Sequence, residues 1–273
     1  MLSLEFLQIY WWCVVSLLGG LLVFMMFVQG GQTLLFGLCK NELQKDMVIN
    51  SIGRKWELTF TTLVMFGGAC FAAFPLFYAT SFGGAYWVWL AILFCFILQA
   101  VSYEYRKKPD NFLGQKTYEI FLFINGSLGV ILIGMAVSTF FSGSDFLLNE
   151  HNFVQWQTPF RGLEALGNIM LYPLGIAVFF LSRVGGALYL INNIDDAEIR
   201  ANARKAVLKN TIFFLPFFLI FIAWIFTKAG FAYDESGVVS LVGFKYALNL
   251  LQMPLVAAMI VRSEEHTSEL QSR

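Results

Sequence analysis

Residues 118–141, YEIFLFINGSLGVILIGMAVSTFF, form an apolar run longer than the roughly 20 residues a helix needs to cross about 30 Å of hydrocarbon. The pattern repeats on both sides. Before it come Leu7–Val28, Leu58–Ala79 and Ala85–Val101; after it come Leu163–Leu190, Thr211–Phe231 and a seventh run that begins near Lys245 and stops at Val261. Hydrophobic residues make up 58% of the chain and charged residues 13%, too little polar surface to cover a soluble fold of this length. The chain therefore reads as an all-α polytopic membrane protein, a transmembrane helix bundle with six full spans and a truncated seventh.

The polar gaps between the runs orient it. Twelve of the eighteen basic residues fall in three of them: Lys40, Lys45, Arg54 and Lys55; then Arg106, Lys107, Lys108 and Lys116; then Arg200, Arg204, Lys205 and Lys209. All three gaps lie on one side of the membrane. The other side has a tail over 1–6 without Lys or Arg, the turn 80–84, and a 142–162 loop whose only basic residue is Arg161. An excess of Lys and Arg marks the cytoplasmic side, so the reading is a multi-pass protein of a bacterial cytoplasmic (inner) membrane with its N-terminus outside. The first run lacks a basic n-region and a small-residue cleavage site, which predicts that it stays in the mature chain. Tyr10, Trp11, Trp12, Trp56, Trp87 and Tyr103 stand at the predicted boundaries, where aromatic rings anchor to headgroups or pack the core. Residues 191–210 read as a short polar helix just past the membrane, acids first and bases later, in the order a helix dipole favours. The 142–162 loop is expected to pack over its own bundle or a partner.

Residues 262–272 read RSEEHTSELQS, the translation of a common sequencing-adapter string, and they interrupt an apolar run in mid-span. The expectation is that residues 1–261 are a C-terminally truncated bundle and that 262–273 are adapter-derived, not native.

Chemistry-bearing residues are few. His151 and His266 are the only histidines and neither lies in a span, so the chain has no ordinary axial ligand pair for a membrane haem. Cys13, Cys39, Cys70 and Cys95 are scattered singly, the habit of small buried apolar residues and not of a metal or redox site. No phosphate-binding loop, nucleotide fingerprint or nucleophile motif is present. Nothing points to nucleic acid. Ionisable groups at membrane depth are functional candidates by default, because each is costly unless paired. Glu57, after Trp56 at the cytoplasmic start of the second span, is the leading one, read as pointing into the bundle and positioned to exchange protons with the inner aqueous phase. Its bland alternative is a solvated acid favoured by the helix dipole. Glu104 is either a relay or the partner of a local ion pair with Arg106. Arg183 needs a partner, with Glu57 and Glu104 as candidates, or must snorkel toward the cytoplasmic side. Arg161 and Glu164 read as a surface pair.

Two motifs carry a resemblance. The stretch 48–57, VINSIGRKWE, followed by 67–75, GGACFAAFP, and by Tyr78-Ala79, closely resembles subunit II of the cytochrome bd quinol oxidases. So do Tyr103-Glu104-Tyr105-Arg106 and the Trp11-Trp12 pair. The resemblance is specific over about residues 5–110; beyond them hydropathy, Pro173 and Gly185-Gly186-Ala187 keep it in register. It implies a nine-helix subunit without cofactors of its own, paired with a subunit I that carries haems b and d and the quinol site, in contact with membrane lipid and with room for a small single-helix accessory subunit. It also implies a part in cytoplasmic proton delivery for an acid directly after the Trp of the second helix, here Glu57. Two departures stand out. Gln29-Gly30-Gly31-Gln32 replaces an Asp-Gly-x-Asp pattern, and Gln99-Ala100 replaces an Arg-Pro, so Gln29 and Gln32 keep hydrogen bonding but cannot titrate. The rival reading is a secondary transporter or membrane scaffold without a redox role, for which Gly126-Ser127-Leu128-Gly129 and Pro173-Leu174-Gly175 would be helix interruptions.

Overall fold

A computed structural model describes residues 3–151, 153–233 and 238–253. Most of the seventh apolar run and the whole 262–273 tail lie outside the described residues. Six helical stretches are long and apolar enough to cross a membrane: Leu4–Thr33, Glu42–Ala73, Tyr86–Tyr105, Gln115–Ser142, Ile169–Asn193 and Ala197–Thr227. The chain is a multi-pass, all-α membrane protein, as its hydropathy predicts. A helix satisfies its own backbone, which a bilayer cannot do for it.

The first span is α1 (Leu4–Met25) and α2 (Phe27–Thr33), with Ser3 capping α1 by accepting the Phe6 amide. A single turn, α3 (Leu35–Leu38), leads to extended Cys39, and Asn41 then caps α4 (Glu42–Gly53) by accepting the Gln44 amide at 2.9 Å. After a turn at Arg54 and Lys55, α5 (Trp56–Ala73) enters the bundle. α4 and α5 together have about 45 Å of helix at 1.5 Å per residue, more than the roughly 30 Å of hydrocarbon that one span has to cross. The sequence reading carries the second span to Ala79; the helix breaks at Phe74, because Pro75 opens a new turn, α6 (Pro75–Tyr78).

A wide turn at 79–84 passes to α7 (Tyr86–Tyr105). The next span joins α8 (Gln115–Ile124) to α9 (Val130–Ser142) through a π-helical turn, Asn125–Gly129. There the expected interruption at Gly126–Gly129 is a local widening, not a break. In the 142–162 loop, β1 (Phe146–Leu148) pairs antiparallel with β2 (Val154–Trp156), Phe146 opposite Trp156. Trp156 seats directly on Gly84, where a Cβ would overlap its indole nitrogen, so the loop covers its own bundle. Arg161 and Glu164 do not pair: Arg161 lies over the Tyr86 ring and Glu164 accepts the Gly162 amide at 2.6 Å. The second expected interruption, Pro173–Gly175, is the first turn of α10 (Tyr172–Asn193), where proline is at home.

Of the polar helix expected over 191–210, residues 191–193 end α10 and residues 197–210 open α11 (Ala197–Thr227), a helix of 31 residues that runs on into the sixth span. Residues through Phe218 form one compact unit. The second unit, from Leu219, contains the antiparallel pair β3 (Gly230–Tyr233) and β4 (Val239–Val242), followed by α12 (Lys245–Leu251).

Small residues hold the first unit together. A Cβ on Gly30 would overlap the Ser182 carbonyl, and one on Gly186 the backbone of Gly31, so α2 and α10 cross in backbone contact. Gly134 and Gly175 do the same for α9 and α10. Close approach of this kind is how helices associate in lipid, where no hydrophobic force drives them together. Two apolar cores result. Val28, Leu35, Leu38, Val48, Ile52, Leu190 and Ile199 fill the end near the basic gaps, and Leu22, Met26, Leu63, Ile92, Phe96 and Ile133 fill the interior. Leu17, Phe24, Val64, Phe71 and Phe94 stay exposed around the outside. In water such a belt would aggregate; in a bilayer it faces acyl chains.

Candidate functional site

The three basic gaps meet at one end of the bundle. Lys40 pairs with Glu198, Lys107 with Asp46, and the Asn202 side-chain amide donates to the Leu38 carbonyl at 3.1 Å. Three polar arrangements lie at or below this end.

The first is a cleft of about 290 Å³ between the α4–α5 turn and the end of α7. Trp56, Glu57, Tyr103 and Glu104 line it, with Arg54 and Asn50. Trp56 packs flat against Tyr103, ring centroids 6.2 Å apart. That contact turns Trp56 inward, and the next residue, about 100° further round the helix, turns outward. Glu57 is therefore exposed. The expectation that it points into the bundle fails for this geometric reason, and among the described residues no ion pair forms between it and Arg183. Glu104 pairs with Lys108 at 2.6 Å, one helical turn on, and not with Arg106. The carboxylate beside Lys108 raises that lysine's pKa.

The second arrangement is a buried amide core. Gln29, Gln32, Gln99 and Asn125 are all 2% exposed or less. Gln29 donates to Gln99 Oε1 (3.3 Å), and Gln99 donates to Gln32 Oε1 (2.9 Å). Gln32 in turn donates to Asn125 Oδ1 (2.6 Å) and to the Leu122 carbonyl (2.7 Å). The Tyr103 hydroxyl donates to Gln32 Oε1 at 3.0 Å. Tyr103 is thus the hinge between cleft and core: its ring lines one and its hydroxyl ends in the other. Gln29 and Gln99, which stand 70 positions apart in sequence, are in contact in space. Two buried atoms of the core, Gln29 Oε1 and Asn125 Nδ2, have no hydrogen-bond partner.

The third is an ion cluster. Arg106 and Glu119, 3% and 1% exposed, face each other, with the guanidinium reaching Glu119 Oε1 through Nη2 (2.6 Å) and Nε (3.1 Å). Arg106 also reaches Asp46 (2.8 Å) and Glu42 (3.3 Å), and Lys45 bridges Glu42 (2.8 Å) and Glu119 (3.1 Å). Burial by itself would lower the Arg106 pKa; the hydrogen bonds it donates to Glu119 and Asp46 outweigh it and raise the value. Three acids face three bases, counting Lys107 on Asp46. Paired charges of this kind can stay buried where single ones cannot. The cluster clamps α4, the end of α7 and the start of α8. Sequence reasoning passed over Glu119, although a lone acid a few residues inside an apolar run is the kind of signal that marks a site.

Arg183 joins none of these. Among the described residues no group of three or more His, Cys, Asp or Glu side chains is placed to hold a metal ion. His151 is exposed in the 142–162 loop.

The sequence model of the family described as cytochrome bd terminal oxidase subunit II matches residues 7–270. A probable cytochrome oxidase subunit 2 from Haemophilus influenzae is 31% identical over 86% of this chain and 62% of its own length. The cytochrome bd-I ubiquinol oxidase subunit 2 of Escherichia coli K12 is 28% identical over 78% of this chain and 57% of its own. The cytochrome bd ubiquinol oxidase subunit 2 of Bacillus subtilis is 27% identical over 63% and 49%. The chain thus spans about half to three fifths of the length of these relatives.

Proposed function

The chain belongs to the cytochrome bd terminal oxidase subunit II family, and on that premise we propose that it is the haem-free subunit of a quinol-oxidising, oxygen-reducing complex of a bacterial inner membrane. Its partner is a haem-bearing subunit I, and a small single-helix accessory subunit is compatible with the same assembly. Haems b and d belong to the partner in this reading, and there they supply electron transfer and oxygen reduction. The absence of a histidine from every span and the exposed position of His151 support placing them there. The N-terminus lies outside and the basic end faces the cytoplasm, as the positive-inside bias requires.

In this reading, Glu57 takes up protons. The observation that carries the role is the cleft of about 290 Å³, which Glu57, Glu104 and Tyr103 line together. The Tyr103 hydroxyl reaches Gln32 of the amide core, whose side chains donate and accept hydrogen bonds but do not ionise near neutral pH. In this reading a proton captured by the Glu57 carboxylate is not handed on through that core. It passes along the exposed face, past Glu104, toward whatever protein covers the cleft. Quinol gives its electrons to the partner and releases its protons outside, while protons for water enter from the cytoplasm, so charge separates without a pump.

Glu57→Gln keeps the shape and removes the proton site. Oxygen uptake by the assembled complex should fall on the order of a hundredfold, the low end of what a placed acid–base group contributes, with haem content per complex unchanged. Unchanged turnover would remove Glu57 from the path.

A further inference from the structure

The cleft that Glu57 and Glu104 line has two walls, the α4–α5 turn and the end of α7. There the walls meet through the Tyr103 ring, which Trp56 stacks on and which a Cβ on Gly53 would approach to 3.0 Å. Among the described residues no ion pair crosses the cleft: Glu104 pairs with Lys108 on its own wall, and Arg54 and Glu57 join none. Two carboxylates of like charge in one cleft repel each other. One turn further on, the same two walls are tied by charge. Asp46 precedes Asn50 by four residues, about 6 Å along α4, and Arg106 follows Tyr103 by three, about 4.5 Å along α7. Arg106 reaches Asp46 at 2.8 Å and Glu42 at 3.3 Å, and Lys107 pairs with the same Asp46.

Glu119 holds this tie from a third helix, α8. Its Oε1 accepts from Arg106 Nη2 and Nε, and its Oε2 accepts from Lys45 Nζ at 3.1 Å. It therefore bonds to both walls at once, to α7 through Arg106 and to α4 through Lys45. At 1% exposure, its charge is not replaced by water when it is lost, and a guanidinium that is itself buried is left short of a partner. Helices carry such an offset along as stiff units, so a shift at Asp46 and Arg106 reaches Asn50, Arg54, Tyr103 and Glu104 one turn away. We infer that Glu119 is a positioning residue for proton uptake: from α8 it fixes the spacing of α4 and α7, and with it the geometry of the cleft in which Glu57 works. Glu119 does not line that cleft itself. The inference rests on the reading of Glu57 as the proton acceptor and adds the group that sets its geometry.

The test uses the whole complex assembled in its native membrane. Oxygen-uptake kcat, KM for quinol and haem per complex are measured for Glu119→Gln and for Asp46→Asn, each alone and combined with Glu57→Gln. Asp46 is only partly buried, so its variant loosens the same tie without stranding a charge in the interior. Misplacing a reacting group by about 1 Å costs up to about a hundredfold; with part of the tie intact, each single variant should lower kcat about five- to tenfold, with KM and haem per complex within about twofold of wild type. In the Glu57→Gln background neither should lower kcat further by more than about twofold, because the group they position is already gone. Asp195→Asn, which breaks the Arg200 pair at the same end, should leave kcat unchanged. Wild-type kcat in Glu119→Gln, losses that multiply with that of Glu57→Gln, or haem lost in step with turnover in both variants would each overturn the positioning role. Full turnover in Glu57→Gln alone would instead bring down the proton-uptake reading, so the two failures are distinguishable.

Discussion

Replacing Gln32 with methionine tests the amide core, because the Gln32 side chain uses all of its hydrogen-bonding capacity. Its carbonyl oxygen accepts from Gln99 and Tyr103, and its amide nitrogen donates to Leu122 and Asn125, at 2.6 to 3.0 Å. Methionine has nearly the same length and no comparable donor or acceptor. At about 0.6 kcal/mol for each interhelical bond in a membrane protein, the loss is about 2.4 kcal/mol. At the roughly 0.5–1.5 kcal/mol typical of an intramolecular hydrogen bond, it is about 2–6 kcal/mol. The Gln99 amide and the Tyr103 hydroxyl would be orphaned, which favours the upper half of the range. The assay is equilibrium unfolding of the purified complex by SDS titration in mixed micelles, followed by helix content. Gln29→Met is the internal control: Gln29 makes one long bond of 3.3 Å and already has an unpartnered oxygen, so it should lose less than about 1 kcal/mol. A Gln32→Met midpoint within about 0.5 kcal/mol of wild type, or a Gln29→Met loss as large as that of Gln32→Met, would refute the idea that this hydrogen-bond network stabilises the bundle.

Two further outcomes follow from the same geometry. Gly30→Ala drives a methyl into the Ser182 carbonyl and must separate α2 from α10, which should cost about 1–3 kcal/mol of stability in the same titration. Gly20→Ala, with open space around it, should be neutral or stabilising by up to about 1 kcal/mol. Glu119→Gln leaves the buried guanidinium of Arg106 with only Asp46 and Glu42 and should lower stability by about 3 kcal/mol. A double-mutant cycle with Arg106→Gln should show a double variant less damaged than the sum of the singles; additive losses would mean that the two side chains act independently.

Hydropathy and charge alone decided the class. Runs of about 20 apolar residues admit one kind of structure in lipid, and the clustering of Lys and Arg in three gaps foretold that these gaps meet at one end, as the Lys40–Glu198 and Lys107–Asp46 pairs show. Motif spelling gave the family, because VINSIGRKWE and its neighbours are local strings that need no third dimension to be read. Partnership could not be read this way. Hydropathy reports depth along a helix but not azimuth, so Glu57 and Trp56, adjacent in sequence, part to outside and inside once Trp56 meets Tyr103. Nor does a sequence reveal which distant amides converge: Gln29, Gln99 and Asn125 become one network only because glycines let α2 lie against its neighbours. Arg106 found Glu119 and not the nearer Glu104, since residues two apart on a helix point away from each other. Composition fixed what the chain must dissolve in, and packing alone chose which charges meet.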